Sequence, residues 1–354
     1  MAMLKCDFGN WINFGDLDSD IVISSRIRLA RNISNFVFPH WANETQLNEV
    51  RDFISGIISQ SDSLKDLVLI FSEKLVPQEK DMLVENHLIS PAFSREGKGQ
   101  AFIISEKIPN LCIMVNEEDH LRIQVFSTGL KLREAWKIAD ETDDRLSSHL
   151  PYAFSKQWGY LTECPANAGN AMKASVVMQL PALVINDEIE SLFSNLSDSN
   201  VEVRGLFGED INVAGDFFQI SNQSTLGKSE DEIINNLEVL LKKIIERERA
   251  AREILLKEDK IRLLDEISRS WGILTHAKLI SFEEAVDHLS MLCLGVDLNL
   301  LSDLSRSQIT ELMTLTGPAH LRNLMGEDFD DDSEDIARAE LIKRELYKLR
   351  EGAV

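Results

Sequence analysis

The sequence predicts an α+β fold in which a mixed region of strands and helices precedes a helical region. Residues 20–226 show the alternation of apolar and polar side chains that is typical of strands, within a mixed α/β texture. From Ser229 onwards, apolar residues recur at helical spacing instead. The length of 354 residues favours two domains, and a hydrophobic fraction of 44% is enough for a large buried core.

These patterns divide the chain into three parts. They are an N-terminal segment, residues 1–19, a mixed α+β domain, residues 20–255, and a smaller all-α domain, residues 256–354. Apolar strands are predicted at residues 111–115 and 175–185. A capping box at Ser229 predicts the first long helix, and further helices are predicted near residues 260–273, 282–292, 307–315 and 335–349. The acidic run at residues 326–335 is interpreted as a solvated loop that caps the last helix.

The charge and the cysteine content limit the function. A formal net charge of −22 and an isoelectric point near 4.7 argue against nucleic-acid binding and favour cationic partners. Cys6, Cys112, Cys164 and Cys293 lack the spacing of a disulfide framework or a metal site, which indicates reduced thiols in a cytosol. We find no apolar signal core and no uninterrupted membrane-length stretch, so we expect a cytoplasmic protein that does not insert into a membrane.

A short polar stretch before a predicted strand places three carboxylates beside a cation. The carboxylates are Glu117, Glu118 and Asp119, and the cation is Arg122. If the strand begins early enough, its period of two puts Glu118, His120 and Arg122 on one face. Such a group suits a cationic, proton-bearing substrate that lies next to an anionic one. The alternative is a polar turn that only leads into a strand.

Two further segments carry arginines at positions that suit contact with a ligand. In one predicted strand, Ser24, Arg26 and Arg28 share a face, with the two guanidinium groups about 7 Å apart, as neighbouring phosphates are. Surface ion pairs are the alternative there. Further along, glycines flank Arg204 and Glu209 in a predicted loop. Glycine permits close backbone approach to a ligand, but it is equally common in ordinary turns.

Together these segments resemble the phosphagen (guanidino) kinases, and among them the bacterial protein-arginine kinases. Five motifs occur in that family's order, at residues 24–32, 116–123, 159–165, 204–209 and 218–223. The run at residues 220–229 is similar to the bacterial enzymes, and the segment before Ser24 is too short for the small helical domain of the animal enzymes. The resemblance implies an antiparallel sheet flanked by helices, followed by a smaller all-α domain.

The resemblance also implies roles for three residues in the transfer of a phosphoryl group from ATP to a guanidinium. Glu118 is the base that takes a proton from the guanidinium, a very weak nucleophile whose pKa is above about 12. Glu209 is the second carboxylate, which orients the planar guanidinium. Cys164 is the reactive thiol near the substrate, and as a thiolate it adds negative charge beside the guanidinium.

The implied nucleotide site combines phosphate clamps with backbone positions, and Mg²⁺ bridges the phosphates of ATP. Its residues are Ser24, Ser25, Arg26, Ile27, Arg28, Arg122, Lys173, Ala174, Ser175, Val176, Val177, Arg204, Gly205, Leu206, Phe207 and Gly208. No protein ligand for a metal is assigned. Lys173 departs from the family pattern, which has an arginine there, so the bidentate fork is lost while the charge is kept. Ala92 is a second departure, at a position where the pattern carries a histidine near the nucleotide.

The C-terminal region departs from the pattern as well. Related enzymes carry an Arg-Asp-x-x-Arg-Ala motif that binds phosphoarginine, whereas residues 334–339 of this chain read Glu-Asp-Ile-Ala-Arg-Ala. Asp335 still suits a guanidinium and Arg338 still suits a phosphate, but the carboxylate of Glu334 repels a phosphoryl group. We expect feedback through this pocket to be weak or absent. A capped helix start with an exposed arginine is the alternative.

By resemblance, the leading interpretation is a protein-arginine kinase in stress response and protein quality control. The implied partners are protein substrates with exposed arginines, namely a heat-shock repressor and unfolded proteins, together with an activator protein and a Clp-type ATPase. A homodimer through the helical domain is implied too, whereas direct binding to nucleic acid or to a membrane is not expected. Two alternatives stay open: a phosphagen kinase for free arginine, and a pseudokinase adaptor that binds partners without catalysis.

Overall fold

The computed structural model describes residues 18–196, 200–206, 214–326 and 331–351. Its strands are β1 (Val22–Arg31), β2 (Leu67–Phe71), β3 (Ala101–Ser105), β4 (Leu111–Val115), β5 (Leu121–Thr128), β6 (Phe154–Ser155), β7 (Gly159–Tyr160), β8 (Met172–Gln179), β9 (Val201–Gly205) and β10 (Phe217–Asn222). Its helices are α1 (Glu44–Gln60), α2 (Pro77–Glu85), α3 (Pro91–Glu96), α4 (Leu132–Ser147), α5 (Pro181–Ile185), α6 (Ile189–Leu196), α7 (Glu230–Glu258), α8 (Lys260–His276), α9 (Phe282–Asp297), α10 (Arg306–Leu315), α11 (Pro318–Met325) and α12 (Asp331–Glu351). From α7 onwards the described residues form helices and their connections, as the sequence predicts.

Among the described residues, eight strands form one sheet in the order β2-β3-β4-β5-β1-β8-β10-β9, and β6 pairs with β7 in a separate hairpin. The pairs β2–β3, β3–β4, β4–β5 and β1–β5 are antiparallel. The predicted antiparallel sheet with flanking helices is therefore confirmed. Because β1 lies next to β5, the arginine-rich first motif is a neighbour of the strand that follows the carboxylates.

The described residues group into two compact units. The first consists of residues 24–175 and 221–238. The second consists of residues 18–23, 176–196, 200–206, 214–220, 239–326 and 331–351. Each unit has apolar clusters of its own: one in the first unit packs α2 and α3 on the sheet, and one in the second joins α11 to α12.

The core of the first unit supports the strand that carries Arg122. All residues of β3 and β4 are buried, which fits their nearly continuous apolar sequences. Leu88, Phe93, Phe102 and Phe126 pack together in one cluster, and Phe126 belongs to β5. The apolar segment around α2 and α3 thus covers the same face of β5 from which Arg122 projects.

The predicted start of α7 is confirmed by its capping contacts. The backbone N–H of Ser229 donates to the Glu232 carboxylate at 2.8 Å, and the Glu232 N–H donates to the Ser229 hydroxyl at 3.2 Å. These reciprocal bonds satisfy amides that the first turn of a helix leaves free. The hydrogen bonds that the Ser229 N–H and hydroxyl donate to the Glu232 carboxylate also lower the pKa of Glu232.

The prediction of one apolar strand at residues 175–185 is wrong in its second half. Strand β8 ends at Gln179, and α5 begins at Pro181, where the missing N–H and fixed φ of proline suit the first helical position. The buried carboxylate of Glu248 accepts hydrogen bonds from the N–H groups of Ala182 and Leu183, at 3.1 and 3.0 Å. A distant side chain thus stabilises a helix start that local periodicity did not reveal.

The last helix begins earlier than predicted, and α11 is a helix of the C-terminal region that was not predicted. Within the acidic run that was interpreted as a loop, residues 331–335 belong to α12, while residues 327–330 lie outside the described residues. Helix α11 ends at Met325 and is capped by Gly326, whose φ of 72° is the left-handed conformation that glycine adopts readily. In the part of the chain that the structure describes, no helix has both the length and the apolar character needed to cross a membrane.

Candidate active site

Three arginines share one face of the β1–β5 pair. The register pairs Arg26 with Phe126 and Arg28 with Gln124, and Arg122 lies two residues before Gln124 on the same strand. Paired residues point to the same side of an antiparallel sheet, and residues two apart on a strand do so as well. The predicted shared face of Arg26 and Arg28 is therefore present, and Arg122 joins it from the neighbouring strand.

Burial and the repulsion between neighbouring cations lower the pKa values of Arg26 and Arg28. Burial and the charge of Arg122 lower the pKa of Arg26 to about 10. The pKa of Arg28 is also lowered, first by burial and then by the charges of Arg26 and Arg122. A bound polyanion would remove this repulsion, and the planar forks of arginine match phosphate oxygens. The cluster is thus suited to a polyphosphate.

Two adjacent carboxylates hold Arg122 in different ways. Glu117 Oε1 lies 2.6 Å from Arg122 Nη1, and Glu118 Oε2 lies 3.0 Å from Arg122 Nη2. The Glu117 side chain is 8% exposed and also accepts hydrogen bonds from the Ser90 hydroxyl and the Glu118 N–H. The Glu118 side chain is 35% exposed. Glu117 is therefore committed to positioning Arg122, whereas Glu118 can meet a substrate from solvent.

The expectation that Glu118, His120 and Arg122 share a strand face is wrong, because β5 begins only at Leu121. Asn116 reverses the chain before it with a φ of 56°, a conformation that asparagine tolerates. His120 is fully buried, and burial lowers its pKa to about 4, so the ring is neutral. The turn, rather than a continuous strand, brings Glu118 to Arg122.

Asp119 links this turn to the segment that carries Cys164. Its buried Oδ1 accepts hydrogen bonds from Asn32 Nδ2 at 2.6 Å and from the Glu163 N–H at 2.8 Å. Asn32 Nδ2 also donates to the carbonyl of Leu161 at 3.1 Å. Cys164 is half-buried and directly follows Glu163. The residues predicted as base and thiol therefore belong to two segments that share one buried carboxylate.

The start of β8 brings a further part of the predicted nucleotide site beside Arg26. Ser175 Oγ accepts a hydrogen bond from Arg26 Nε at 3.3 Å. The Ala174 N–H donates to Asn222 Oδ1 at 2.7 Å, so a residue of the fifth motif fixes the backbone here. Lys173 is half-buried at the same strand start.

If Lys173 contacts the nucleotide, its substitutions are expected to change ATP affinity. We predict that Lys173→Arg keeps or tightens binding, whereas Lys173→Ala weakens it by ~1.5–3 kcal/mol, the usual worth of a hydrogen bond to a charged group. Calorimetric ATP titrations measure this, with Lys137→Ala on the exposed side of α4 as the control. Identical titrations for all the proteins would show that Lys173 does not contact ATP.

Several other residues of the predicted nucleotide site have structural contacts of their own. Ser24, Ile27, Ala174 and Val176 are buried, and Val177 is half-buried. The Ser25 hydroxyl donates to the Gly129 carbonyl at 2.7 Å and accepts from the Lys131 N–H at 3.0 Å, which ties β1 to the turn before α4.

The loop motif is described only in part. Arg204 is exposed in β9 and pairs with Glu202, with Nε to Oε1 at 2.8 Å. Gly205 ends the strand, and the Leu206 N–H donates to the Phe217 carbonyl at 3.0 Å. Phe207, Gly208 and Glu209 lie outside the described residues, so the second carboxylate stays a prediction.

His87 was not predicted as a site residue. It has a φ of 56°, and burial together with the charge of Arg26 lowers its pKa to about 4. A neutral imidazole thus lies close enough to Arg26 to feel its charge. The family pattern directed attention to Ala92, which is exposed at the start of α3. No local signal distinguishes His87, because only tertiary contacts bring it to β1.

In the second unit, the two residues of the predicted phosphoarginine pocket, Asp335 and Arg338, pair with each other. Arg338 is buried rather than exposed, and it donates to the carbonyls of Thr316 and Ile280 at 2.9 and 3.0 Å. It also donates to Glu334 at 2.6 Å and forms an ion pair with Asp335. The guanidinium of Arg338 is therefore already bound by a carboxylate of the protein itself, that of Glu334.

Two known families match this chain. Residues 48–251 match the ATP:guanido phosphotransferase C-terminal catalytic domain, and residues 260–353 match the protein-arginine kinase McsB C-terminal domain. Among similar proteins, the protein-arginine kinase of Halothermothrix orenii is 42% identical over 344 residues, which cover 97% of this chain and 98% of that protein. The protein-arginine kinase of Clostridium tetani is 38% identical, over 95% of this chain and 98% of that protein.

Solved structures share the fold at low sequence identity. A lombricine kinase has a TM-score of 0.57 at 24% identity, over 69% of this chain and 70% of that chain. The duplicated taurocyamine kinase from Schistosoma mansoni with bound transition state analog components has a TM-score of 0.60 at 21% identity, over 78% of this chain and 41% of that chain. With these matches and with an arginine cluster beside paired carboxylates, the chain belongs to the ATP:guanido phosphotransferase family and, within it, to the protein-arginine kinases.

Proposed function

We propose that this protein transfers the γ-phosphoryl group of ATP to the guanidinium groups of arginine side chains in proteins. The observation that carries the proposal is the position of Glu118. Its carboxylate is accessible to solvent and lies 3.0 Å from Arg122, a member of the cation cluster suited to phosphates. A proton acceptor and a phosphate clamp in direct contact are what phosphoryl transfer to a guanidinium needs.

In the proposed reaction, each of these residues has a defined role. Glu118 takes a proton from the substrate guanidinium, and the freed nitrogen lone pair forms a bond to the γ-phosphorus. The bond from that phosphorus to the bridging oxygen breaks, and ADP leaves. Arg26, Arg28 and Arg122 face the charge that spreads over the phosphoryl oxygens, so most of the catalysis is electrostatic. Glu117 keeps Arg122 in place during the transfer. By resemblance to the family, we assign to Cys164 and Glu209 the role of adding negative charge beside the guanidinium.

ATP fits the arginine cluster, and we propose that Mg²⁺ binds with it. The described residues contain no group of three His, Cys, Asp or Glu side chains that could hold a metal ion. Mg²⁺ commonly keeps several waters and binds chiefly to substrate phosphates, so this donor set is compatible with it. When bound, the ion neutralises phosphate charge. The neutral ring of His87 beside Arg26 is a further candidate for nucleotide contact.

The wider role is also a proposal. The protein would act in the cytoplasm on a heat-shock repressor and on unfolded proteins, together with an activator and a Clp-type ATPase, in stress response. Residues 20–255 would form the catalytic domain, and residues 256–354 would serve regulation and dimerisation. Support comes from the similarity to protein-arginine kinases along nearly the whole chain. The alternatives are a free-arginine phosphagen kinase and a non-catalytic adaptor.

The size of the acceptor and the ionic strength distinguish the protein-arginine kinase from these two alternatives. With Mg-ATP, we expect efficient phosphorylation of arginines in an unfolded basic protein and poor phosphorylation of free arginine. The net charge of −22 attracts a basic protein at low salt, so the rate on protein should fall as ionic strength screens charges beyond roughly 8–10 Å. Acid-labile phosphate in each acceptor measures both rates. Comparable catalytic efficiency on the two would favour the phosphagen kinase, and no transfer to either would favour the adaptor.

A further inference from the structure

Three aromatic side chains are unusually exposed on the first unit. Trp41 is 79% exposed, Phe154 is 59% exposed and Trp158 is 50% exposed. Covering a large aromatic side chain removes more apolar surface from water than covering most other side chains. Such residues therefore often dominate the free energy of binding where a partner covers them. Their exposure therefore indicates a surface that binds a partner.

The side chains belong to segments with defined contacts. The Trp41 ring meets His40 edge to face, with ring centroids 5.5 Å apart. His40 Nδ1 lies 3.3 Å from a Glu163 carboxylate oxygen, and the His40 N–H donates to the other oxygen at 3.3 Å. The Phe154 ring meets Tyr160 edge to face at 5.3 Å across the β6–β7 hairpin. Both aromatic segments are thus held in place.

Both segments connect to the candidate active site. Glu163, which holds His40, donates its backbone N–H to Asp119, the residue next to Glu118. The hairpin that carries Phe154 and Trp158 continues from Tyr160 through Glu163 to the predicted thiol, Cys164, four residues after Tyr160. The segments that carry the exposed rings are therefore linked, by hydrogen bonds or along the chain, to the segments of the predicted base and thiol.

We infer that Trp41, Phe154 and Trp158, together with the carboxylate of Glu163, form a docking surface for the polypeptide on either side of the target arginine. This inference rests on the proposed function and assigns to this surface the unfolded protein substrates proposed above, bound through their apolar and basic side chains. Unfolded chains expose apolar groups that folded proteins bury. The faces of indole rings attract Lys and Arg, and the carboxylate and the net charge of −22 add to that attraction.

The partner is an extended chain rather than a folded domain. A stable interface between folded proteins usually buries ~1,200–2,000 Å² over a continuous patch. Here the anchors are single rings on two short segments, residues 39–41 and the β6–β7 hairpin. Such separated anchors suit successive side chains of an extended peptide. Free arginine has no flanking residues to use them, so the surface would also favour protein substrates over the free amino acid.

Binding without nucleotide tests the surface directly. The probe is reduced and alkylated lysozyme, a permanently unfolded basic protein, and fluorescence anisotropy gives its Kd. For Trp41→Ala combined with Phe154→Ser and Trp158→Ser, we expect the Kd to rise about tenfold, as truncation of aromatic anchors typically does. Tyr347→Ala, an exposed aromatic on α12, is the matched control and should leave the Kd unchanged. Succinylated probe, which is acidic, should bind the wild type more weakly.

Kinetics distinguish docking from a general defect. In the triple variant, KM for the unfolded protein should rise about tenfold, while kcat/KM for N-acetylarginine amide stays within about twofold of the wild type. An unchanged Kd, or equal losses on both acceptors, overturns the inference. A wild-type dimer that becomes monomeric in the variant would assign the surface to a second copy of the chain and also overturn it. If the wild type phosphorylates neither acceptor, the proposed function fails, while the binding titration still decides whether this surface docks unfolded chains.

Discussion

Glu118→Gln is expected to abolish phosphoryl transfer while the fold and ATP binding are retained. The amide has the shape of the carboxylate but cannot take the proton of the guanidinium, and a general base typically contributes ~10²–10⁴-fold to the rate. Glu118 also competes with phosphate for Arg122, which lies 3.0 Å away, so its neutralisation should leave ATP affinity unchanged or slightly tighter. Single-turnover formation of acid-labile phosphate measures the first effect, and calorimetry measures the second.

Glu117→Gln provides the comparison, because it makes the same chemical change one residue away. Glu117 is buried against Ser90 and Arg122, so its loss should release the Arg122 clamp and raise KM for ATP. The proton acceptor remains, so the rate at saturating ATP should fall much less than in Glu118→Gln. Wild-type turnover in purified Glu118→Gln would remove Glu118 from the role of base. If the rate at saturating ATP fell more in Glu117→Gln than in Glu118→Gln, Glu117 would be the base and Glu118 would position Arg122.

The sequence predicted that Glu118 and Arg122 lie close together, and they do, but through a different geometry. The alternation of side chains predicted one strand over residues 118–122. The structure has a turn there instead, with a left-handed φ at Asn116 and a buried His120. The contact exists because the turn brings these two residues together, whereas residues four apart on an extended strand lie about 13 Å from each other. The long amphipathic helices, by contrast, were predictable, since their spacing and caps are local properties of the sequence.

Other features were decided by tertiary contacts that the sequence does not display. Glu117 and Glu118 are chemically identical neighbours, and only the approach of Ser90 commits one of them to a structural role. His87 reaches Arg26 through the packing of α2 and α3 on the sheet. Pro181 is different, because a proline followed by apolar residues is a local signal of a helix start that the strand interpretation passed over.

Arg338→Met is expected to cost the protein ~3–5 kcal/mol of its free energy of unfolding, the usual effect of removing one partner from a buried ion pair. The substitution leaves the carbonyls of Thr316 and Ile280 without their donor. It also leaves Asp335 unpaired with Arg338 and Glu334 with one cation fewer. Urea unfolding of the two proteins measures the difference. Methionine fills much of the volume of the arginine stem, so the loss reports the charge and hydrogen bonds rather than a cavity.

Arg344→Met on the same helix is the control, because Arg344 is exposed and pairs with its neighbour Glu345; surface changes of this kind usually alter stability by less than about 0.5 kcal/mol. An Arg338→Met variant as stable as this control would contradict the buried network.

The same network predicts the response of the wild type to phosphoarginine. Since the guanidinium of Arg338 already binds Glu334 and Asp335, free phosphoarginine should not raise the unfolding midpoint of the wild type. A ligand that binds only the folded state must raise it. A clear increase with phosphoarginine that is lost in Arg338→Met would show that the phosphoryl group displaces Glu334 and that the pocket still binds its ligand.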